Sequence, residues 1–159
     1  MDIEDHTITE AARHGGNHSI RITKQGKMRH WVKHALDFFQ DNPENEISLY
    51  TSPTDASAST LPKLISVVEI IKREYLTSLG LSSTNLTGLH QHNQLLYEEQ
   101  SEAVDGDQRF VPYMKITLSI KPLSDLDETT TYQTPEKRRL SKATKARIRK
   151  KEKEKGQEA

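Results

Sequence analysis

Residues 19–39 read SIRITKQGKMRHWVKHALDFF, and within this stretch the spacing of the apolar side chains changes from two residues to three or four. Residues 19–23 alternate polar and apolar side chains, the pattern of a short strand with one buried face. Residues 28–39 carry an apolar stripe at helical spacing. The residues between them, 24–27, are therefore predicted to form the turn that joins a strand to a helix.

The strand-and-helix pattern continues along the chain. Residues 47–51 alternate again, and residues 60–79 carry a second helical stripe. Residues 89–100 and 113–120 are predicted strands joined by an acidic turn at 101–109. The order β-α-β-α-β-β predicts an α+β two-layer sandwich, with two helices on one face of a four-stranded mixed sheet.

Composition divides the chain into a body and a basic tail. The 159 residues are 33% hydrophobic and 29% charged, which predicts one domain with segments outside its core. We expect a disordered leader at 1–18, the domain at 19–122, an extended segment at 123–135 and a disordered basic tail at 136–159. Net charge is zero, yet residues 136–155 hold eleven Lys or Arg against three Glu. Such a tail binds polyanions or directs nuclear import.

Several function classes are excluded or disfavoured. The absence of cysteine excludes disulfides, thiolate metal sites and thiol catalysis. No apolar run approaches the roughly 18 residues of a membrane span, and the first 17 residues are not of signal-peptide type. No nucleophile elbow, glycine-rich phosphate loop or paired-carboxylate motif is found. We therefore expect an intracellular binding module without catalytic activity, cofactor or membrane partner.

A basic cluster lies at the start of the first predicted helix. Lys24 and Lys27 stand where the helix dipole disfavours positive charge, and the free N–H groups of a first turn attract anions. The alternative is an ordinary solvated charge cluster. With the tail, the predicted nucleic-acid-binding residues are Lys24, Gln25, Gly26, Lys27, Arg29, His30, Lys33, Lys137, Arg138 and Arg139.

The histidines and the tryptophan of this predicted helix raise two further possibilities, a metal site and base stacking. His30 and His34 have the spacing of metal ligands, but no glutamate follows His30 and no cysteine is available, so no metal is predicted. His90 and His92 would add ligands only if folding brought them close. Trp31 lies on the apolar stripe, which favours a core or interface position over base stacking.

Four segments, in order along residues 19–135, resemble known proteins. Residues 22–29, ITKQGKMR, resemble the opening motif of the Alba family. Residues 64–73, LISVVEIIKR, are similar to the second helix of Alba-type subunits of eukaryotic ribonuclease P and ribonuclease MRP. Residues 89–91, LHQ, and 116–135 resemble the larger of those two subunits.

The resemblance implies a dimer that lays basic first-loop residues, and often the hairpin of the last two strands, against nucleic acid. In the ribonuclease P/MRP group, two different Alba-type chains bind a stem with an internal loop, and the RNA performs the cleavage. This chain departs from the family because residues 51–60 contain no glycine. Its hairpin tip is also acidic, with Glu102, Asp105 and Asp107 against Arg109, so binding is expected at the first loop and the tail.

The leading expectation is thus a nuclear, nucleolar subunit of tRNA- and rRNA-processing particles, with a cytoplasmic fraction. It pairs with a second Alba-type chain through Val68, Ile71, Tyr75, Leu95 and Tyr97, since the second helix is apolar on more than one side. Three alternatives remain open: a homodimeric Alba protein on DNA or messenger RNA, a protein-interaction subunit whose tail is an import signal, and a hydrolase using a metal at His30 and His34.

Overall fold

A computed structural model describes residues 17–53, 60–80, 87–100, 109–124 and 128–157. The predicted leader lies outside these ranges except for Asn17 and His18, which already belong to the first strand. The elements are β1 (Asn17–Arg21), α1 (Met28–Asp41), β2 (Glu46–Tyr50), α2 (Thr60–Ser78), β3 (His90–Gln100), β4 (Arg109–Ser119), β5 (Thr130–Gln133) and α3 (Lys142–Gln157).

The strands form one mixed sheet in the order β1-β2-β4-β3-β5. β1 and β2 are parallel, and the other neighbouring pairs are antiparallel. The predicted α+β fold with a mixed sheet is confirmed, and among the described residues the sheet has one strand, β5, in addition to the four predicted. β5 pairs with the outer side of β3, with Gln133 opposite Gln91. Four residues are too few to show the alternation of polar and apolar side chains that identifies a strand in a sequence. They form a strand because they pair with the free edge of β3.

The core lies between one sheet face and the helices. Ile20, Leu49 and Ile116 are in register across three strands and are buried on that face. Their neighbours on the opposite face are polar: the hydroxyl oxygens of Ser48 and Thr117 are 3.0 Å apart. The helices contribute to the core Val32, Ala35, Phe39, Leu64, Val67, Val68 and Ile71. Each fully buried aliphatic side chain stabilises the fold by about 1.5–3 kcal/mol.

Both core helices begin at the same end of the sheet. β1 and β2 are parallel, and each is followed by a helix, so α1 and α2 start near the carboxyl ends of these strands. We call this region the helix-entry end. The β3–β4 hairpin extends past it, because the end of β2 at Tyr50 is opposite Lys115, while β4 begins at Arg109. The hairpin overhangs by about 20 Å at the usual strand rise.

The chain after β5 is anchored to the body. The Gly88 N–H donates to the Glu136 carbonyl (2.7 Å), and the Arg138 guanidinium donates to the Leu79 carbonyl just after α2. Ser141 then caps a helix, accepting the Thr144 N–H at 3.1 Å. This differs from the predicted disordered tail, because capping and high helix propensity define α3 without an apolar stripe. Among the described residues, no helix has the length and apolarity to cross a bilayer.

Candidate nucleic-acid interface

A lysine from α2 holds the turn between β1 and α1. The Lys63 ammonium donates to the carbonyl oxygens of Thr23 (3.3 Å), Lys24 (2.6 Å) and Gly26 (3.0 Å). Hydrogen bonds from a charged donor are roughly twice as strong as neutral ones. The turn is therefore fixed to α2 rather than left as a free loop. Sequence reasoning missed Lys63, since its partners lie some 37 to 40 positions away.

The inner side of the same turn rests on Trp31. A Cβ added at Gly26 would lie 2.1 Å from Trp31 Cζ2 and 2.5 Å from Cη2, so only glycine fits this approach. The Gly26 N–H donates to Thr23 Oγ1 at 3.2 Å. The Lys63 ammonium lies 5.4 Å from the Trp31 ring centroid, within cation–π range. Trp31 is 9% exposed and packs in the core, as its stripe position predicts.

The outer side of the turn is basic and exposed. Lys24, Gln25, Lys27 and Arg29 are all solvent-exposed at the helix-entry end, and we call them the basic entry surface. α1 has no side-chain cap and no acidic residue in its first turn, and α2 likewise starts without an acid. Uncapped first-turn N–H groups and the helix dipole both favour an anion here.

Other residues predicted for this site are arranged differently. His30 is exposed in the first turn of α1, beside the basic entry surface. Lys33 is exposed but forms an ion pair with Asp37, with Nζ 2.5 Å from Oδ2. Gly26 lies beneath the exposed side chains, against Trp31. The residues predicted for the first loop therefore do lie on one surface. Gly26 shapes that surface from beneath, and Lys33 is already paired with Asp37.

The predicted tail residues lie at the other end of α2. Lys137 and Arg139 are exposed, whereas Arg138 is half-buried and donates to the Leu79 carbonyl. Arg138 therefore anchors the tail, which corrects its expected role as a free contact residue. α2 has 19 residues, so the two predicted groups are separated by nearly its length, about 28 Å at the helical rise. Within the described ranges, the predicted basic residues therefore form two surfaces rather than one.

Two of the predicted interface residues belong to the core. Val68 and Ile71 are 1% and 0% exposed, so they have no surface left for a partner chain, and that prediction is corrected. Tyr75 is half-buried against the edge of Phe39, with ring centroids 5.9 Å apart, and burial raises the pKa of Tyr75. Val68 and Ile71 therefore serve the core, whereas Leu61 and Ile65 of the same helix are 40% and 46% exposed.

The other two interface candidates are exposed on the overhanging hairpin. Leu95 and Tyr97 are 52% and 60% exposed, and they are opposite Met114 and Pro112. Phe110, 59% exposed, continues the same face one pair further out. We call these five residues the hairpin apolar face. The sequence does not point to Phe110, because residues 110–114 read FVPYM and show no alternation of polar and apolar side chains.

One pair of histidines joins β1 to α1. The Nε2 atoms of His18 and His34 are 2.8 Å apart, and the His18 ring stacks on Phe38 at a centroid distance of 4.7 Å. Burial, and then the charge of His34, lower the pKa of His18. His34 thus turns to His18 rather than sharing a metal with His30. The described residues contain no group of three or more His, Asp or Glu side chains arranged to hold a metal ion.

A second histidine pair, His90 and His92 of β3, lies on the sheet face that carries Ser48 and Thr117, next to Tyr132 of β5. The Tyr132 ring stacks on His92 and on His90, with centroids 4.9 and 5.9 Å away, and its hydroxyl oxygen lies 2.7 Å from His90 Nδ1. His92 is 3% exposed, and neither ring nitrogen has a hydrogen-bond partner among the residues that the structure describes. Burial lowers the pKa of both histidines, and the charge of His90 lowers that of His92 further.

The lowered pKa values of His18, His90 and His92 predict that the folded protein is less stable in mild acid. A histidine with a lowered folded-state pKa stabilises the fold while neutral, and that contribution is lost as pH falls below the unfolded value of about 6.5. We expect the melting temperature to fall between pH 7 and pH 5. His92→Phe retains the ring and removes two unpaired buried nitrogens, so it should stabilise the protein by about 1 kcal/mol at pH 7 and flatten the pH dependence. His30→Gln is the exposed control, and an equal effect of both variants would contradict the assignment.

Of the comparisons with known proteins, the one with solved structures finds similar proteins. No family model matches the chain, and no curated protein matches it. Among solved structures, the fold is similar to Alba from Thermoplasma volcanium, with 18% sequence identity and a TM-score of 0.42, over 64% of this chain and 98% of that one.

Proposed function

We propose that this chain is an RNA-binding, non-catalytic subunit of a ribonuclease P/MRP-type ribonucleoprotein, and that it binds structured RNA as a dimer with a second Alba-type chain. The sequence resemblance over residues 19–135 supports the particle. The observation that carries RNA binding is the helix-entry end, where two helix starts without acidic residues meet an exposed basic turn held by Lys63.

The basic entry surface suits a phosphate backbone. Lys24 and Lys27 supply charge, while the first-turn N–H groups of α1 supply directed donors. Because Lys63 and Trp31 hold the turn from both sides, little conformational freedom is lost on binding. Contacts to phosphate position a nucleic acid without reading its bases, which is the behaviour of an architectural subunit.

The hairpin suits a protein partner better than a phosphate backbone. Its arms carry exposed Glu98 and Glu99, and its turn adds the acids of residues 101–107 in the sequence. A phosphate backbone would be repelled there. The hairpin apolar face, with two exposed aromatic rings, has the composition of an interface core. We therefore assign the dimer to this face.

Neutralising the turn should reduce binding in a salt-dependent manner. Each phosphate contact contributes about 0.7–0.9 to the slope of log affinity against log salt. For Lys24→Ala with Lys27→Ala, we expect that slope on a synthetic RNA stem with an internal loop to fall by up to about 2. Lys115→Ala with Lys121→Ala is the matched control, since neither lysine belongs to the basic entry surface or to the basic tail, and Lys121 already pairs with Glu44. Equal slopes for the two double variants would rule out the basic entry surface.

The particle is tested by purifying the tagged chain from its native cells and identifying bound RNA and protein. One or two small structured RNAs, with a second Alba-type chain, are the expected result, together with nuclear and nucleolar location of the tagged chain. Recovery of many messenger RNAs or of DNA would instead favour a general Alba protein. Recovery of protein without nucleic acid would favour an interaction subunit with a basic import signal.

A further inference from the structure

A groove lies between the carboxyl-terminal half of α2 and the segment at residues 136–139. Its volume is about 270 Å³, and four cations but only two carboxylates line it. Arg73 and Thr77 form the α2 wall, while Arg138 and Arg139 form the other. None of these residues belongs to the basic entry surface, which lies at the opposite end of α2.

Two of the four cations remain available to a ligand. The Lys72 ammonium is 3.0 Å from a Glu69 carboxylate oxygen, and the Arg138 guanidinium is bonded to the Leu79 carbonyl. Arg73 and Arg139 are exposed and have no ion pair within the described ranges. Two free guanidinium groups facing one groove favour an anion with several oxygens, since each binds phosphate through a pair of N–H groups.

The second wall of the groove is fixed by the fold. β5 pairs with β3, the Gly88 N–H donates to the Glu136 carbonyl, and Thr87 pairs with Lys137 as an isolated bridge. Glu136, Lys137 and Arg138 are thus each bonded to the body of the protein, and Arg139 is the next residue along the chain. α3 begins at Lys142, three positions after Arg139, and its first turns expose further lysine and arginine side chains. A basic helix therefore follows the groove closely along the chain.

We propose that this groove and the start of α3 form a second phosphate-binding site for the sugar-phosphate backbone of the RNA, separate from the basic entry surface. Arg73 follows Thr60 by 13 positions on α2, and Arg138 bonds to Leu79 just past the end of that helix, which places the groove about 20–28 Å from the helix-entry end. That separation is close to the width of an RNA stem, so one stem can contact both surfaces. The inference rests on the proposed function and adds where the second contact lies.

Charge removal in the groove provides the first test. For Arg73→Ala with Arg139→Ala in the full chain, we expect at least a tenfold loss of affinity for the synthetic stem and a salt slope lower by up to about 2. The double variant of Lys115→Ala with Lys121→Ala is again the control for lost charge. The alternative result is that the arginine variant binds with wild-type affinity and salt slope while the Lys24/Lys27 variant binds more weakly. That result would overturn the groove as a binding site and leave the proposed function standing. No RNA binding by the wild-type chain would overturn both.

Cross-linking provides a second test that does not depend on stability. The chain has no cysteine, so a single introduced thiol can carry a photo-cross-linker without competition. Thr77→Cys lies in the groove and is expected to cross-link to the RNA stem. Ser19→Cys is the control, because it is exposed on β1, at the other edge of the sheet from β3 and β5. Equal yields at the two positions, or none at Thr77→Cys, would overturn the proposal.

Discussion

Truncation after Leu140 is expected to lower the affinity for a structured RNA stem by on the order of a hundredfold at physiological salt, and to flatten its salt dependence. The deletion removes α3, whose sequence KATKARIRKKEKEKGQ carries eight Lys or Arg against two Glu. It retains β5, Glu136 and the Arg138 anchor, so the body should remain folded. The large effect follows because many phosphate contacts, each released with a counterion, are lost together.

Charge and length can be separated in this experiment. A full-length variant with the α3 lysines and arginines replaced by glutamine retains the helix length and should bind as weakly as the truncated chain. The melting temperatures of both should match the wild type, since no residue of α3 whose burial is described, 142–150, belongs to the buried core. Wild-type RNA affinity, combined with loss of nuclear accumulation, would show that the tail serves import and would contradict the prediction.

Gly26→Ala is expected to lower the free energy of unfolding by about 1–3 kcal/mol, the range for overpacked positions. The added methyl group would lie 2.1 Å from the Trp31 ring, so either the ring or the turn must move. Because Trp31 is the only tryptophan, its fluorescence reports which of them moves. RNA binding should weaken as well, since Lys63 bonds to the carbonyl of Gly26 itself.

Gly88→Ala is the matched control for this prediction. Its added Cβ would meet the Glu136 carbonyl oxygen at 3.1 Å, a tight contact but not an overlap, so a smaller loss is expected. Trp31→Phe removes the ring atoms that clash, so Gly26→Ala should be less harmful in that background. Additive effects of Gly26→Ala and Trp31→Phe would show that the ring is not the cause.

Local patterns explain which elements could be predicted. The alternation at 113–120 and the stripe at 28–39 are repeated features of neighbouring residues, and they predicted β4 and α1. β5 was missed because Thr130–Gln133 becomes a strand only by pairing with the open edge of β3. α3 was expected to be irregular because it lacks an apolar stripe, yet capping and propensity define it.

The candidate site was predictable only in part. The basic residues of the turn form a surface because they are close in sequence, so Lys24, Lys27 and Arg29 could be grouped before any fold was known. Whether an apolar residue of α2 faces the core or a partner is not a local property. Val68 and Ile71 belong to a stripe that is wider than one face, and only packing shows that both are buried.

The sequence by itself determined the order of strands and helices from β1 to β4, the basic turn and the basic tail, since each arises from neighbouring residues. The tertiary structure decided how these parts are held. Lys63 reaches carbonyls 37 to 40 positions earlier, and Arg138 reaches one 59 positions earlier. Such contacts have no period along the chain and exist only once α2 packs on the sheet. For that reason the rigid turn, the anchored tail and the groove between that tail and α2 follow from the fold alone.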